Sequence, residues 1–220
     1  MKRNLSIALP TGRLLKEIVD LLNKKGIIED SYEDLSKSRK LVIERNGLKL
    51  ILAKPFDIPL YVSKRAADLG IAGNDVIWER NEEVYEIADL GIGKCELVIA
   101  SPRTKGFSFE KEILWGKKLG TKYPKIAEDF LNYQGIQMDI IKLYGSVEIA
   151  PLINLVDVIL DLKETGRTLK ENDLIIIKSV AQVSARLIVN PVCYKNRTEE
   201  ILEIASILER GDNNENNKRI

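Results

Sequence analysis

Histidine is absent from all 220 residues of the chain. Its absence excludes serine–histidine triads, histidine-ligated metals and imidazole general bases from the chemistry of this protein. Cysteine occurs only twice, at Cys95 and Cys193, and the two do not form a C-x-x-C motif. Two isolated cysteines argue against a disulfide framework and against a zinc site.

Long apolar runs and an excess of one charge are missing as well. A membrane-spanning helix needs about 18 or more apolar residues in a row, and no stretch approaches that length. The apolar stretch at 5–10 is too short for a signal peptide, so a cytoplasmic protein is expected. The 34 basic and 33 acidic residues nearly cancel, and neither sign forms blocks. The charge pattern therefore indicates no nucleic-acid partner and no membrane partner.

The sequence does contain a regular alternation of strand-like and helix-like segments, and 45% of its residues are hydrophobic. This alternation predicts an α/β fold with mostly parallel sheets. The predicted strands lie at 5–9, 48–53, 68–73, 138–143, 156–162, 173–179 and 182–190, with two more inside 84–101 joined through Gly91 and Gly93.

The predicted helices begin and end at recognisable capping signals. Gly26 is placed to end the first of them, and Asp57 and Asn74 are placed to cap two others. Pro124 lies near the first turn of a fourth helix. The apolar stripe of the first helix consists of Leu14, Leu15, Ile18, Leu21 and Leu22, and the predicted helices span 13–25, 57–64, 74–78, 120–135, part of 145–155 and 197–209.

The stretch VDVILDLKETGRTL, at 156–169, is the most informative segment for function. In open α/β sheets ligands bind beyond the carboxyl ends of strands, where free backbone N–H groups attract anions. Thr165, Gly166 and Thr168 offer two hydroxyls and a close backbone approach for a phosphate, and Asp161 just upstream suits ribose hydroxyls. The alternative is an ordinary turn in which 168–171 forms a helix capping box.

Three further charged residues have a functional and an ordinary interpretation. Arg13 begins a helix, where a cation is unfavourable near the positive end of the helix dipole, and this mildly favours anion binding. Lys54 follows a strand and is either a phosphate ligand or a surface lysine. Glu148 follows Ser146 in a short helix, where an acid also stabilises the first turn. The chain has no phosphate-binding P-loop motif, and GIGKCE at 91–96 does not match the dinucleotide fingerprint.

A strand that ends in aspartate and continues into T-G-x-T resembles the phosphoribosyl-diphosphate signature of phosphoribosyltransferases. The run 143–174 is similar to the short-form catalytic subunits of the ATP phosphoribosyltransferase family, the first enzymes of histidine biosynthesis. The likeness extends along the chain up to the tail. Its ordered blocks are LPTGRL (9–14), DIP (57–59), AADLGIAGNDV (66–76), DLGIGKCELVIA (89–100), TKYP (121–124) and SARLIVNP (184–191).

The resemblance implies a two-lobed, type II periplasmic-binding-protein-like α/β fold with an active-site cleft between the lobes. Domain I then combines 1–91 with 180–210. Domain II spans 92–179 and carries the phosphoribosyl-diphosphate loop. The polar tail at 211–220 is expected to be disordered.

The resemblance also implies the reaction and the residues that perform it. ATP and 5-phosphoribosyl 1-diphosphate condense to N1-(5-phosphoribosyl)-ATP and pyrophosphate, with Mg²⁺ bound mainly through the substrate and no protein metal cage. Asp161 and Arg13 are assigned to catalysis. Phosphoribosyl diphosphate is assigned to Asp161, Thr165, Gly166, Arg167, Thr168 and Glu148, and ATP or its phosphates to Arg13, Lys54, Asp68, Gly70 and Gly73.

One residue departs from the family pattern, because Thr11 stands where a lysine is usual, and this puts a cationic contact at that position in doubt. The implied partner is a regulatory subunit related to histidyl-tRNA synthetase, in a hetero-octamer, and self-association as a dimer is expected. Two rival interpretations are a non-enzymatic small-molecule binding protein of the same fold and a scaffold that only holds the regulatory subunit.

Overall fold

The computed structural model describes residues 4–45 and 47–209, which divide into two compact units. The described residues up to Gly93 and from Ser184 onward form the first unit, and Lys94–Val183 forms the second. The tail at 211–220, for which disorder is predicted, lies outside the described residues. No helix among the described residues is both long enough and apolar enough to cross a membrane.

The secondary structure of these residues alternates as the sequence pattern indicates. The strands are β1 Leu5–Pro10, β2 Val42–Arg45, β3 Leu48–Ala53, β4 Leu69–Gly73, β5 Tyr85–Asp89, β6 Cys95–Pro102, β7 Lys118–Thr121, β8 Asp139–Lys142, β9 Val158–Lys163, β10 Leu174–Val183 and β11 Ala185–Val189. The helices are α1 Arg13–Lys24, α2 Tyr32–Ser36, α3 Ile58–Ser63, α4 Asn74–Arg80, α5 Lys111–Leu114, α6 Pro124–Gln134, α7 Arg167–Glu171, α8 Pro191–Asn196 and α9 Thr198–Glu209, with short 3-10 helices at Pro55–Asp57, Arg103–Lys105 and Val147–Ile149.

The first unit contains a six-stranded sheet in the order β2-β3-β1-β4-β11-β5. Strand β1 lies at its centre and pairs in parallel with both β3 and β4. Strands β2, β11 and β5 run antiparallel to their neighbours. All six residues of β1 are buried, because helices and neighbouring strands cover a central strand on every side.

The second unit contains a five-stranded sheet in the order β10-β6-β9-β7-β8. Strands β9, β7 and β8 form a parallel group. Strand β6 runs antiparallel to β9 on one side and to β10 on the other. The parallel group matters most for function, because its three carboxyl ends meet at one edge of the sheet.

The α/β architecture is confirmed, but the expectation of mostly parallel sheets is wrong. Four of the nine strand pairs among the described residues are parallel. A parallel pair needs a crossover of about a dozen residues, usually a helix. Strands β2 and β3 are separated by only two positions, 46 and 47, so they pair as a hairpin. The sequence patterns predicted none of β2, β7, α2, α5 and α8, whereas the final helix predicted at 197–209 corresponds to α9.

Helix α1 buries an apolar stripe close to the predicted one. Leu15, Ile18 and Leu22 are almost fully buried, whereas Leu14 and Leu21 are partly buried at its margin. Gly26 ends the helix as predicted, with φ +68°. The Ile27 N–H donates to the Leu22 carbonyl at 2.9 Å and the Gly26 N–H to the Asn23 carbonyl at 2.9 Å, which is the Schellman arrangement.

Three predicted helix caps are wrong. Asp57 makes no side-chain cap to α3. Asn74 lies inside α4, and its side-chain oxygen instead accepts a hydrogen bond from the Ser184 N–H at 3.1 Å. Helix α7 begins at Arg167 after Gly166, so Thr168 lies inside the helix and cannot form the capping box considered for 168–171.

Candidate active site

The carboxyl ends of β7, β8 and β9 lie side by side at one edge of the second sheet. Thr121, at the end of β7, is in register with Lys142 of β8 and Leu160 of β9. Its hydroxyl donates to the Leu160 carbonyl at 2.7 Å and accepts from the Tyr123 N–H at 2.9 Å. This buried threonine holds the chain at the point where the loops begin.

The T-G-R-T turn follows β9 at this edge. Gly166 has φ +76°, a left-handed conformation that residues with a side chain rarely adopt. The Thr165 hydroxyl accepts a hydrogen bond from the Arg167 N–H at 3.4 Å. Thr165, Arg167 and Thr168 are exposed, so their polar groups are open to a ligand from solution.

A shared hydrophobic cluster anchors the loops on both sides of this edge. Leu169 follows the T-G-R-T turn, and Val147 belongs to the short helix that carries Glu148. Both are buried in one cluster with Val156 and Ile159. The same core therefore fixes the turn at 165–168 and the half-buried Glu148, although nearly twenty positions separate them in sequence.

Asp161 lies within β9, two positions before its last residue, Lys163. The side chain is half-buried, and its Oδ1 accepts a hydrogen bond from the Leu162 N–H at 2.9 Å. On the neighbouring strand it is in register with Val98. The structure thus brings all six residues assigned to phosphoribosyl diphosphate to one sheet edge: Glu148, Asp161, Thr165, Gly166, Arg167 and Thr168.

Asp157, the other aspartate of this segment, lies at the amino end of the parallel strands, opposite the edge that carries the T-G-R-T turn. Its carboxylate accepts from the Lys118 N–H at 3.0 Å and from the Lys105 ammonium at 3.1 Å. Burial raises the pKa of Asp157, but the Lys118 N–H and the Lys105 ammonium outweigh burial, so the pKa falls below its ordinary value. Asp157 ties the start of β9 to the start of β7.

Sequence reasoning missed a polar network beside the T-G-R-T turn. Glu96 of β6 accepts hydrogen bonds from the Ser179 hydroxyl at 2.5 Å and from the Lys163 ammonium at 3.0 Å. A Cβ atom at Gly166 would lie 3.8 Å from Lys163 Cε, so the stem of Lys163 lies against the turn. The network therefore holds Lys163, the last residue of β9 before the turn, in place.

Glu96→Gln is expected to lower the free energy of unfolding by at most about 1 kcal/mol at neutral pH. The Ser179 hydroxyl, then Lys163, lowers the pKa of Glu96 below the ordinary value of 4.5. A carboxylate with a lowered pKa stabilises the folded state above its unfolded pKa, and this stabilisation is lost as the pH falls through the folded pKa. The difference between wild type and variant should therefore vanish in acid, as urea unfolding at several pH values would measure.

The matched control is Glu112→Gln, which changes an exposed glutamate of the same unit. It should leave stability unchanged at every pH. A Glu96→Gln difference that persisted undiminished well below pH 4.5 would contradict the assignment of the effect to the ionised Glu96 carboxylate.

The first unit brings together three of the residues assigned to ATP or its phosphates. Arg13 follows β1, Lys54 follows β3, and Gly73 ends β4. These strands are parallel neighbours, with Pro10 in register with Ala53. The Thr11 N–H donates to the Ala53 carbonyl at 2.7 Å, which joins the two strand ends. Arg13 and Lys54 are exposed at this edge.

The structure does not bring Asp68 and Gly70 to that edge. Asp68 precedes β4, at the opposite end of the strand, where its carboxylate accepts from the Ser6 N–H at 2.9 Å and the Ser6 hydroxyl at 2.7 Å. Gly70 lies inside β4, where an added Cβ would come within 2.7 Å of Ile58. Both residues hold the fold of the first unit.

Comparison with solved structures identifies the fold. The alkanesulfonate-binding protein SsuA from Xanthomonas axonopodis pv. citri, solved with MOPS, aligns with a TM-score of 0.59 over 94% of this chain and 72% of that protein, at 11% identity. The ATP phosphoribosyl transferase (HisG:HisZ) complex from Thermotoga maritima aligns with a TM-score of 0.78 at 31% identity, over 93% of this chain and 96% of that one. The fold is therefore type II periplasmic-binding-protein-like, and the strand-end turn indicates a phosphoribosyltransferase within it.

Sequence comparison gives the family. The family model for ATP phosphoribosyltransferase matches residues 54–210. The ATP phosphoribosyltransferase of Halothermothrix orenii is 45% identical over 199 residues, which cover 90% of this chain and 89% of that protein. That of Aquifex aeolicus is 44% identical and covers 93% of each. The chain belongs to the ATP phosphoribosyltransferase family.

Proposed function

We propose that this chain condenses ATP and 5-phosphoribosyl 1-diphosphate to N1-(5-phosphoribosyl)-ATP and pyrophosphate, the first step of L-histidine biosynthesis. The observation that carries the proposal is the T-G-R-T turn and Asp161 at the edge where three parallel strands end. The family to which the chain belongs is named for the same activity.

The exposed turn supplies the groups that a sugar 5-phosphate needs. Hydroxyls of Thr165 and Thr168, the Arg167 guanidinium and the backbone at Gly166 bind its oxygens, because a phosphate accepts several charge-assisted hydrogen bonds at once. Asp161 accepts hydrogen bonds from the ribose hydroxyls. Glu148 lies on the neighbouring loop, fixed by the same hydrophobic cluster.

In the reaction, N1 of the adenine ring attacks C1′ of the ribose from the face opposite pyrophosphate. The C1′–O bond breaks, its electron pair leaves with pyrophosphate, and the configuration at C1′ inverts. The N1 lone pair is available at neutral pH, so no imidazole base is required, and the chain has no histidine. The protein instead orients two polyanions and stabilises charge.

Arg13 and Lys54 are the cations proposed to meet the phosphates of ATP and the departing pyrophosphate. They lie at the ends of adjacent parallel strands of the first unit. Thr11, which stands where the family pattern usually has lysine, contributes its N–H to the join between the strands. Positive charge at this edge therefore depends on Arg13 and Lys54.

The carboxylates at the carboxyl edge of the second unit's sheet suit a magnesium ion that is bound mainly through substrate oxygens. Mg²⁺ usually keeps several water ligands and binds one or two protein carboxylates when substrate phosphates supply its other ligands. Asp161 and Glu148 could supply these carboxylates. Among the described residues no group of three or more metal-ligating acids or cysteines lies together. When bound, the ion would neutralise charge on the leaving pyrophosphate.

The domain organisation and partners belong to the same proposal. Residues 92–179 are assigned to domain II with the phosphoribosyl-diphosphate loop, and 1–91 with 180–210 to domain I. The Thermotoga maritima structure is a HisG:HisZ complex, which supports a regulatory subunit, in a hetero-octamer, for this chain. Self-association as a dimer and a place in the cytoplasm complete the proposal.

The test combines purified chain, ATP, phosphoribosyl diphosphate, Mg²⁺ and inorganic pyrophosphatase, with and without a candidate regulatory subunit. Product is followed through the ultraviolet absorbance of the N1-substituted adenine and identified by mass. Product in the chain-only sample is expected and locates catalysis on this chain. No product in either sample, from folded protein, would contradict the proposal and favour a non-enzymatic binding protein.

Added histidine tests how regulation is divided between the subunits. We expect L-histidine to leave the chain-only rate unchanged and to lower the rate of the assembly with its regulatory subunit. The chain-only sample with an equal concentration of another amino acid is the control. Inhibition of the chain alone would place a histidine site on this chain and contradict the proposed division.

A further inference from the structure

A polar cavity of about 620 Å³ opens in the first unit, away from the edge that carries Arg13 and Lys54. It lies beside Asp68, at the amino end of β4, whereas that edge is formed by the carboxyl ends of β1, β3 and β4. Its volume is within the range of small-molecule sites. Of the residues assigned to the substrates, only Asp68 lines this cavity, and it lies at the opposite end of β4 from the edge that carries Arg13 and Lys54.

The charges that line the cavity do not balance. The Asp68 carboxylate is held by the N–H and hydroxyl of Ser6, and Arg197 makes two hydrogen bonds to Glu200, at 2.6 and 2.8 Å. Lys64 and Arg65 also line the cavity and are exposed. In the described ranges neither of them pairs with a carboxylate. The cations at the cavity, Lys64, Arg65 and Arg197, therefore outnumber the carboxylates, Asp68 and Glu200, by one.

A buried asparagine in the lining of the cavity is fully hydrogen-bonded. The Asn190 side chain donates to the carbonyls of Val62 and Ser63, and its oxygen accepts from the N–H groups of Val192 and Cys193 at 2.9 and 3.2 Å. Asn190 is 3% exposed. All of its hydrogen-bonding groups are occupied, so it holds the end of α3 against the start of α8 rather than competing for a ligand.

Arg65 adopts a backbone conformation that favours glycine. Its φ is +60°, and it closes α3 in a Schellman arrangement. The Arg65 N–H donates to the Val62 carbonyl at 3.0 Å and the Ala66 N–H to the Tyr61 carbonyl at 2.9 Å. Glycine is the usual residue at this position because it has no Cβ. An arginine here strains the backbone while directing a guanidinium to the cavity.

We propose that this cavity binds a small phosphate-bearing anion through Lys64 and Arg65, at the amino end of β4 and away from the edge that carries Arg13 and Lys54. Two adjacent cations with no carboxylate partner favour a doubly charged oxyanion, and a guanidinium binds phosphate oxygens with two parallel hydrogen bonds. Arg197, oriented by its hydrogen bonds to Glu200, also lines the cavity.

Cys193 provides a local reporter for the proposed site. It lines the cavity and is half-buried, whereas the other cysteine, Cys95, is 7% exposed in β6 and serves as the internal control. The rate of Cys193 alkylation by iodoacetamide, a neutral reagent, is measured by peptide mass spectrometry. Inorganic phosphate and pyrophosphate are titrated separately, against potassium chloride at equal ionic strength. We expect a several-fold slowing by at least one phosphate probe and none by chloride.

Arg65→Gly separates binding from folding. Glycine removes the guanidinium and relieves the left-handed backbone, so the variant should lose the protection of Cys193 while its Tm rises by roughly 1–3 °C. Lys64→Gln should weaken protection without the gain in Tm. Lys16→Gln, at an exposed position on α1, is the matched control and should leave protection unchanged.

Two results would overturn the proposal. Equal slowing by chloride would mean that ionic strength alone affects Cys193. Protection that survived both Arg65→Gly and Lys64→Gln would mean that the phosphate probes act from the substrate-binding edges and not from this cavity.

Discussion

Asp161→Ala is expected to lower kcat/KM for phosphoribosyl diphosphate by roughly 100-fold or more, the scale of losing one preorganised electrostatic contact in an active site. The carboxylate is assigned to the ribose hydroxyls, next to C1′ where positive charge develops. The side chain is half-buried and accepts a hydrogen bond from the adjacent Leu162 N–H. A half-buried carboxylate near the end of a strand is not part of the hydrophobic core, so the variant should still fold cooperatively, as thermal unfolding would check.

Two further variants show whether the loss comes from the charge at that position. Asp161→Asn keeps the size of the side chain and an accepting oxygen, so it should retain part of the activity while losing the electrostatic contribution. Asp129→Asn, on the exposed face of α6 in the same unit, is the matched control. Steady-state kinetics and thermal unfolding are measured for all three. Near wild-type kcat/KM in Asp161→Ala, with normal folding, would remove Asp161 from the proposed site.

The edge of the second sheet was predictable because its signals are local. A β-rich run, an aspartate near its end and a turn with Gly166 occur within about a dozen residues, and the turn glycine has the left-handed φ that such turns require. Strand β9 occupies Val158–Lys163, close to the predicted 156–162. A ligand position at the end of a parallel strand then follows from general rules for α/β sheets.

Strand order and long-range contacts were not predictable in the same way. Periodicity reports which face of an element is buried, but it does not specify which strands become neighbours or in which direction they run. Strand β11 lies antiparallel between β4 and β5, although it follows β10 directly in the chain. The pairing of Glu96 with Lys163 joins residues 67 positions apart, and either residue alone resembles a surface charge.

Asp68 illustrates a finer limit of segment-level prediction. The sequence block 68–73 was assigned to ATP as a unit, but a strand rises about 3.3 Å per residue, which puts its two ends roughly 16 Å apart. Gly73 lies at the carboxyl end with Arg13 and Lys54, whereas Asp68 lies at the amino end with Ser6. A motif that crosses a sheet can therefore contribute to the fold at one end and to the site at the other.

Gly70→Ala is expected to lower the free energy of unfolding by about 2–3 kcal/mol, the range for overpacking a well-packed core. An alanine Cβ would lie 2.7 Å from Ile58 Cγ2 and 2.8 Å from Val62 Cγ2. Both side chains are fully buried, as is Ile188 on the adjacent strand. They have no open space into which to move, so α3 must shift away from the sheet.

Thermal unfolding and steady-state kinetics distinguish this structural role of Gly70 from contact with ATP. The Tm of Gly70→Ala should fall by roughly 4–12 °C, with KM for ATP unchanged in the folded fraction. Gly145→Ala is the control, since a Cβ there meets no atom within 4 Å and the backbone has no positive φ. A Gly70→Ala protein with wild-type stability and a raised KM for ATP would return Gly70 to the nucleotide site, because only a ligand contact would then explain why this position requires glycine.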